Sequence, residues 1–349
     1  MPIALPDWPR RFGSSLGSAH YRQRPEDFQV DEILGFEADG EGPHQLLWVE
    51  KAGVNTAFAA QALARHAGVA ERDVGYAGLK DRHALTRQYF TVPGGDNRRW
   101  DDFSVPGIQV LSATAHRRKL RRGSHRGNRF RIVLRELSAD RAAFEARIAE
   151  IAAGGVPNYF GVQRFGKGGA NLGLAAALVA GKRLPRHKRG FAISTLRAMV
   201  FNQLLAARLE AGSWNRALSG ELLQLDGRGS WFRMEADDPE IASRLERLEI
   251  HPTGPLPGRA RFPIEGEVAA LEQGMLEAHA DWQSCLERLA VEADRRALRL
   301  AVADLAEEWI CENVVALSFE LSSGGYATAV MRELVDLRDV HDQPEPEIE

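Results

Sequence analysis

The amino-acid sequence predicts an α+β protein, because strand-like and helix-like segments occupy different parts of the chain. Strand-like runs predominate up to residue 135, helical spacing predominates in the middle, and sheet character returns after Ala303. The chain has 349 residues, of which 44% are hydrophobic, so it can form two domains with substantial cores. A break rich in glycine and proline at residues 154–157 predicts a domain boundary.

Alternation, helix caps and turn residues define the elements before this boundary. Asn55 or Thr56 can cap a helix that Gly68 stops. The predicted strands cover residues 28–34, 44–51, 73–79, 86–92 and 108–115, with a further strand ending at Leu134, and the predicted helices cover residues 55–66 and 139–153.

Helical spacing and a Pro- and Gly-rich stretch define the elements after the boundary. The prediction is a long helix over residues 193–209, a loop over 251–264, helices over 266–289 and 292–302, a strand over 314–321 and a helix over 326–337. The tail, residues 336–349, is acidic and is expected to fray.

The basic residues are concentrated in two places, although the formal net charge of the chain is −3. Residues 116–135 carry nine Lys and Arg and no acid, and residues 182–189 read KRLPRHKR. A solvated face normally carries both signs, so a single-sign loop with interrupting glycines favours contacts to phosphates. The low net charge argues against a uniformly basic coat, and any nucleic-acid partner must bind such local patches.

The two cysteines, Cys285 and Cys311, have no C-x-x-C neighbour and no histidine at metal-ligand spacing. We therefore expect both to be reduced, packed thiols. The first residues lack an apolar signal segment, and nowhere do eighteen apolar residues run together. A soluble cytoplasmic protein is expected.

Residues 76–92 read YAGLKDRHALTRQYFTV and carry the most distinctive chemistry, with Asp81 in a knot of polar residues. An aspartate is ionised at neutral pH, but burial raises its pKa, so a working carboxylate in a pocket needs a nearby cation. On a strand, Lys80 and Asp81 would face opposite sides. The alternative is that KDRH forms an ordinary solvated turn with weak ion pairs.

Aromatic and amide residues in two other strands are further candidates. Phe28 alternates within a predicted strand, where a core role is the common alternative to stacking on a base. Asn128 and Phe130 contribute one polar side chain and one aromatic ring within the basic cluster of residues 116–135. The glycines around Gly166 superficially match a dinucleotide loop, but a third glycine is missing and no strand is predicted just before them.

The Asp81 motif resembles the signature of the TruD-type pseudouridine synthases. Its spacing is G-x-K-D-x-x-A-x-T-x-Q, filled here by Gly78, Lys80, Asp81, Ala84, Thr86 and Gln88. Four further blocks are similar to TruD blocks in the expected order: PEDFQVDE at 25–32, RGNRF at 126–130, VPNYFGVQRFG at 156–166 and LSSGGYATAVMREL at 321–334. The likeness covers almost the whole chain.

The resemblance implies a catalytic domain of pseudouridine-synthase fold, a mixed and largely antiparallel sheet flanked by helices, built from both chain ends. It assigns residues 1–155 and 303–349 to this domain, and residues 156–302 to an inserted family-specific TRUD domain of α+β structure. The residues that match the family site are Asp81 as the nucleophile, Phe28 and Asn128 as holders of the target nucleotide, Phe130 as a supporting ring, Tyr326 in a stacking position, Arg22 as the cation beside Asp81, and Lys80 of the motif itself.

Two of these positions depart from the family pattern. Tyr326 stands where the family usually has phenylalanine, which keeps the ring but adds a hydroxyl that needs water or a partner. Arg22 stands where lysine is usual, and an arginine there is expected to keep Asp81 ionised and to hold it bidentately.

The implied activity is the isomerisation of uridine 13 in tRNA to pseudouridine, by an aspartate-dependent mechanism in which the base leaves its stack. The implied partner is tRNA, with no cofactor, metal or membrane. Two other classes stay open: a non-catalytic RNA-binding protein in which Asp81 merely closes a turn, and a nucleotide-cofactor enzyme such as an RNA methyltransferase built on the Gly166 loop.

Overall fold

The computed structural model describes residues 5–94, 99–235, 238–260 and 262–339. Its contacts divide the chain into two compact units. The Asp81 unit contains Leu16–Ile148, Ala303–Gly324 and residues 335–339. The Tyr326 unit contains residues 5–15, Ala149–Val302 and Gly325–Leu334. The assignment of a catalytic and an inserted domain to the chain stays a prediction.

The strands of the described residues are numbered in chain order. They are β1 (Ser18–Tyr21), β2 (Phe28–Ile33), β3 (His44–Ala52), β4 (Gly75–Tyr76), β5 (Leu85–Pro93), β6 (Ile108–His116), β7 (Gly127–Leu134), β8 (Val156–Pro157), β9 (Leu222–Leu225), β10 (Trp231–Arg233), β11 (Ile250–Leu256), β12 (Asp294–Ala297), β13 (Arg299–Leu300), β14 (Ala303–Cys311), β15 (Val314–Ser322) and β16 (Asp336–Asp339).

The α-helices are numbered in the same way. They are α1 (Thr56–Ala67), α2 (Arg141–Gly154), α3 (Ala170–Val179), α4 (Arg186–Glu210), α5 (Glu240–Glu246), α6 (Gly266–Glu277), α7 (Ala280–Arg288) and α8 (Ala327–Met331). The mixture confirms the predicted α+β class.

A mixed sheet organises the Asp81 unit, with strand order β14-β15-β7-β2-β5-β3-β6 and β4 paired to β5. Strands β2 and β5 run parallel, whereas the other neighbours are antiparallel. The prediction of a mixed, largely antiparallel sheet is therefore confirmed. Alternate residues of β3 and β5, such as Leu47 and Phe90, pack with Leu63 of α1 in one buried cluster.

Helix α1 has the predicted caps. The side chain of Asn55 accepts a hydrogen bond from the backbone N–H of Phe58 at 2.8 Å, which satisfies one of the free N–H groups of the first turn. Gly68 ends the helix with φ at 62°, a left-handed conformation that glycine adopts without strain. These caps fix where α1 starts, and its start supports the Asp81 loop described below.

The two ends of the chain meet in a parallel pair, β1 with β16, in which Tyr21 lies opposite Asp339. The predicted helix over residues 326–337 and the predicted fraying from Asp336 are both wrong for the described residues. Helix α8 ends at Met331, and the backbone N–H of Asp336 donates to Gly17 O at 2.8 Å, which begins the pairing of β16 with β1. The prediction for residues 340–349 lies outside the described residues.

The Tyr326 unit has a sheet of order β10-β9-β11-β12 and a short β13–β8 pair. The buried face of α4 includes Leu196, Phe201 and Leu205, which confirms the predicted long helix, although it begins at Arg186. Aromatic residues including Tyr159, Phe160, Phe165 and Trp214 complete a core with α4.

Two predictions in this unit are wrong. Residues 250–256 form β11 despite two prolines, because β11 changes partner midway: Pro252 pairs with β9 and Pro255 with β12. Each proline therefore pairs with a neighbouring strand on one side only, and on the other side its missing N–H leaves no ladder hydrogen bond unmade. Residues 292–302 form β12 and β13 instead of a helix, because pairing with β11 and β8 overrides the helix propensity of their Ala, Leu and Arg residues.

Cys285 is buried as expected, whereas Cys311 is exposed, and both are free. Across the described ranges, no helix combines the length and apolar character needed to cross a membrane.

Candidate active site

Asp81 lies on a loop, residues 77–84, that connects β4 to β5. The predicted strand over 73–79 is therefore shorter than expected, and the alternation of Lys80 and Asp81 on a strand does not apply. Buried side chains hold the backbone of this loop. Lys80 N donates to Thr56 Oγ1 at 2.9 Å, Thr56 Oγ1 donates to Gln88 Oε1 at 3.0 Å, and Gln88 Nε2 donates to Gly78 O at 3.3 Å.

A buried lysine supports the loop at Asp81 itself. Lys51 lies on β3 with only 1% of its surface exposed, and its Nζ donates to Asp81 O at 3.0 Å and to Val54 O at 2.9 Å. Burial lowers the pKa of Lys51 to about 8, although the charge of Asp81 opposes this effect. No feature of the sequence signals this role, since Lys51 is simply the last polar residue of an apolar strand.

The Asp81 carboxylate remains accessible, with 39% of the side chain exposed. Arg22 Nη1 donates to its Oδ2 at 2.7 Å, and the backbone N–H of His83 donates to its Oδ1 at 3.1 Å. Two donors thus bind the charged form, one on each oxygen. The neighbouring arginines have other partners: Arg82 donates to Gly53 O, and Arg87 binds Glu50 and Asp31.

Arg22 binds two carboxylates from opposite ends of the chain. Its Nη1 binds Asp81, and its Nη2 binds Asp339 of β16, so the expected bidentate grip on Asp81 does not form. Burial opposes the charge of Arg22, but the hydrogen bond to Asp339 and the charges of Tyr21, Asp339 and Asp81 together outweigh burial and raise the pKa of Arg22. Arg22 has φ at 57°, a conformation uncommon outside glycine. Its guanidinium lies 4.8 Å from the Tyr21 ring centroid and 5.8 Å from that of Phe28.

Asp339 is a residue that the sequence did not reveal. Its side chain is only 3% exposed, and β-pairing of the two chain ends brings it to Arg22. An acidic residue ten positions from the end of a charged tail carries no local signal of such a contact.

Lys80 does not face Asp81 but binds Glu32 and Asn128. Its Nζ donates to Glu32 Oε1 at 2.8 Å and to Asn128 Oδ1 at 2.7 Å, while Glu32 Oε2 accepts from Tyr89 N at 3.0 Å. Because an ammonium only donates, the atom of Asn128 that faces it must be the oxygen. The NH₂ group of Asn128 therefore points away from Lys80, as a donor.

The rings of Phe28 and Phe130 lie on adjacent strands of the sheet. Their centroids are 6.3 Å apart at an interplanar angle of 74°, and Phe130 stacks on Phe319 at 5.3 Å. Both rings are buried, so each belongs to the core of the unit. Arg22 lies over one face of Phe28, and this contact joins the aromatic cluster to the Asp81 carboxylate.

Tyr326 lies in the other unit, at the start of α8. Its hydroxyl, which needed a partner, accepts a hydrogen bond from Arg164 Nη2. The ring packs edge-on against Phe160 with centroids 6.1 Å apart, and the Arg296 guanidinium lies 5.7 Å from its centroid. Arg164 lies within the VPNYFGVQRFG block, so the resemblance identified this segment but not Arg164 itself.

The basic cluster is less uniform in the fold than in the sequence. Carboxylates from other segments bind four of its arginines: Arg117 with Glu41, Arg129 with Glu320, Arg131 with Glu308 and Arg135 with Asp27. Arg121 and Arg122 are exposed on the loop between β6 and β7, and Arg122 lies 3.8 Å from the Tyr76 ring centroid. The second patch, residues 182–189, is exposed except for Leu184 and leads into α4.

The Gly166 loop does not have the structure of a dinucleotide site. A 3₁₀ turn over Val162–Phe165, not a strand, precedes it, and α3 follows. No group of three His, Cys, Asp or Glu side chains able to hold a metal occurs in the ranges that the structure describes.

Comparison with known proteins agrees with this architecture and motif. The model of the family described as tRNA pseudouridine synthase D (TruD) matches residues 17–182 and 174–334. The tRNA pseudouridine synthase D of Methylococcus capsulatus is 47% identical over 95% of this chain and 94% of its own length. That of Hydrogenovibrio crunogenus is 41% identical over 97% of this chain and 98% of its own length.

A solved structure shows the same fold. It is the crystal structure of a Methanosarcina mazei protein assigned as tRNA pseudouridine synthase D (TruD), with a TM-score of 0.71, 22% sequence identity and 95% coverage of both chains. The chain described here belongs to the tRNA pseudouridine synthase D family.

Proposed function

We propose that this protein is a cytoplasmic tRNA pseudouridine synthase that isomerises uridine 13 and uses Asp81 as its essential carboxylate. Family membership supports the reaction class. The observation that carries the role of Asp81 is its exposed carboxylate, bound by Arg22 at 2.7 Å on a loop with a fixed backbone. A solvated turn would not need three buried side chains to hold it.

The reaction breaks the bond between the sugar carbon and uracil N1, turns the base and joins the same carbon to C5, after which C5 loses its proton and N1 gains one. Asp81 can serve by attack on the sugar carbon, by attack on the base or by removal of a sugar proton, and in each case Arg22 donates a hydrogen bond to the carboxylate. Asn128 has its NH₂ group available as a donor to an acceptor of the uracil or ribose.

Phe28 and Phe130 supply the aromatic part of the proposed site in the Asp81 unit. Phe28 has Arg22 over one face, and Phe130 supports Phe28 from the side. Tyr326 would stack on the target nucleotide, with Arg164 fixing its hydroxyl. Lys80 binds Glu32 and Asn128, which supports a role in holding Asn128 toward the nucleotide.

We also propose the domain assignment on which this site depends, a catalytic domain of residues 1–155 and 303–349 and an inserted domain of residues 156–302. The Asp81 unit supports it by joining segments from both chain ends. The exposed arginines of the 116–135 cluster and the 182–189 patch would contact the tRNA backbone.

The test is incubation with unmodified tRNA transcript without added cofactor, followed by measurement of pseudouridine at each position. Wild-type protein should modify position 13, and a transcript with cytidine there should stay unmodified. Asp81→Asn should abolish turnover while tRNA binding stays within about tenfold, because the change removes the charge and keeps the shape.

Three results would contradict the proposal. Pseudouridine formation by the Asn variant would remove Asp81 from its role, and modification elsewhere would remove position 13. Binding without any pseudouridine from wild-type protein would favour the non-catalytic RNA-binding alternative.

A further inference from the structure

Leu79 is an apolar side chain held in solvent beside the Asp81 carboxylate. It is 70% exposed, the largest exposed fraction among the large hydrophobic side chains of the described ranges. The other exposed residues of its loop, Asp81, Arg82 and His83, are polar. A single exposed leucine is ordinary on a protein surface, so the exposure alone indicates no role.

The backbone on both sides of Leu79 is fixed, which distinguishes it from a leucine on a mobile loop. The carbonyl before it accepts from Gln88, and the N–H after it donates to Thr56. Both of these side chains are buried, and Lys51 fixes the carbonyl of Asp81. These hydrogen bonds fix the direction in which the Cα–Cβ bond of Leu79 leaves the backbone, so its exposure belongs to the folded state of the loop.

Leu79 is also close to the place where a nucleotide would react. It lies two residues before Asp81, and two residues of chain span at most about 7 Å. A uridine that reaches the Asp81 carboxylate must leave its stack, and in a folded RNA this opens a gap beside the protein loop. Apolar side chains inserted between bases are a known means of holding such gaps open.

We propose that Leu79 enters the tRNA helix at the gap that the target uridine leaves, and that it keeps the uridine from returning to its stack. This inference rests on the proposed function, since it requires a structured RNA as the substrate. Leu79 is thus a positioning residue, which acts on the RNA around the reacting nucleotide.

The experiment compares Leu79→Ala with Leu79→Met and with Leu111→Ala. Leu111 is a matched control, because it is the same residue type, is 40% exposed and lies on β6 of the same unit. Each variant is assayed in single turnover with saturating protein, on folded tRNA transcript and on a short unstructured RNA that carries the same target uridine.

Leu79→Ala should slow the reaction on folded tRNA by about tenfold to a hundredfold, the range expected for one apolar side chain removed from contact. On the unstructured RNA it should stay within about twofold of wild type, because no helix has to be opened. Leu79→Met and Leu111→Ala should resemble wild type on both substrates. An equal loss on both RNAs would mean that Leu79 shapes the loop instead, and no loss on folded tRNA would also overturn the inference.

A second readout does not require turnover. With 2-aminopurine placed 3′ to the target uridine of a stem, binding of the Asp81→Asn protein should raise the fluorescence as the stack opens. The Leu79→Ala change in that background should reduce the rise at saturation, whereas Leu111→Ala should not. A full rise without Leu79 would overturn the inference even if the protein made pseudouridine. If the protein makes no pseudouridine but the fluorescence rise still depends on Leu79, the proposed function is overturned and the inference about Leu79 is not.

Discussion

The arginines of the 116–135 cluster divide into two sets that a salt titration should separate. Within the described residues, Arg121 and Arg122 are exposed and pair with no carboxylate, whereas Arg129 and Arg131 bind Glu320 and Glu308 at 2.6 and 3.0 Å. Changing either pair to glutamine removes the same formal charge. The two double variants therefore differ only in whether the lost arginines were available to phosphates.

The expected size follows from counterion release. Each phosphate contact contributes about 0.7 to 0.9 to the slope of log affinity against log salt concentration, so Arg121→Gln with Arg122→Gln should lower the slope by about 1.4 to 1.8. Between 50 and 200 mM salt, wild type should then lose roughly 7 to 12 times more affinity than the variant. Arg129→Gln with Arg131→Gln should change the slope by less than about 0.5, since their charges are already neutralised by glutamates.

The assay is fluorescence anisotropy of labelled tRNA with Asp81→Asn protein, which prevents turnover, over this range of salt. Two results would refute the reasoning. An unchanged slope for the Arg121 and Arg122 variant would mean that this loop faces away from the RNA. An equal decrease for the Arg129 and Arg131 variant would mean that RNA displaces the glutamates, and pairing would then be no guide to phosphate contacts.

Two further predictions concern Tyr326 and Lys51. Tyr326→Phe keeps the ring and loses only the hydrogen bond from Arg164, so turnover on folded tRNA should fall by about threefold. Tyr326→Ala also loses the ring, so turnover should fall by about tenfold to a hundredfold. Equal losses in the two variants would assign the role to the hydroxyl. Burial lowers the pKa of Lys51 from 10.5 to about 8. Between these two pH values the unfolded chain binds more protons than the folded protein, so the wild type gains stability as pH rises. The free energy of unfolding of the wild type, measured with denaturant and compared with that of Lys51→Met, should rise by about 2 kcal/mol between pH 7.5 and pH 10. A difference between the two proteins that does not change with pH would contradict the lowered pKa of Lys51.

Local patterns in the sequence predicted the elements whose causes are local. The cap at Asn55, the stop at Gly68 and the apolar run of β3 depend on neighbouring residues, and the structure has them. The errors have distant causes. Strand β11 tolerates its prolines because it changes partner, and β12 forms where helix propensity is high because a strand edge is available to it.

The candidate site divides in the same way. The resemblance marked Asp81, Phe28 and Asn128 from short blocks, but the contacts of Arg22 depend on the pairing of the chain ends. Lys80 is adjacent to Asp81 in sequence, yet it binds Glu32 on another strand. No periodicity encodes which cation a carboxylate meets across a sheet, so Asp339, Glu32 and Lys51 required the fold.

The two-carboxylate contact of Arg22 also has a consequence for the order of events during synthesis. Arg22 and Asp81 leave the ribosome long before Asp339 does. Until β16 has emerged and paired with β1, Arg22 lacks the buried partner that fixes its second amino group. On a nascent chain the Asp81 site therefore stays incomplete until this late strand is available.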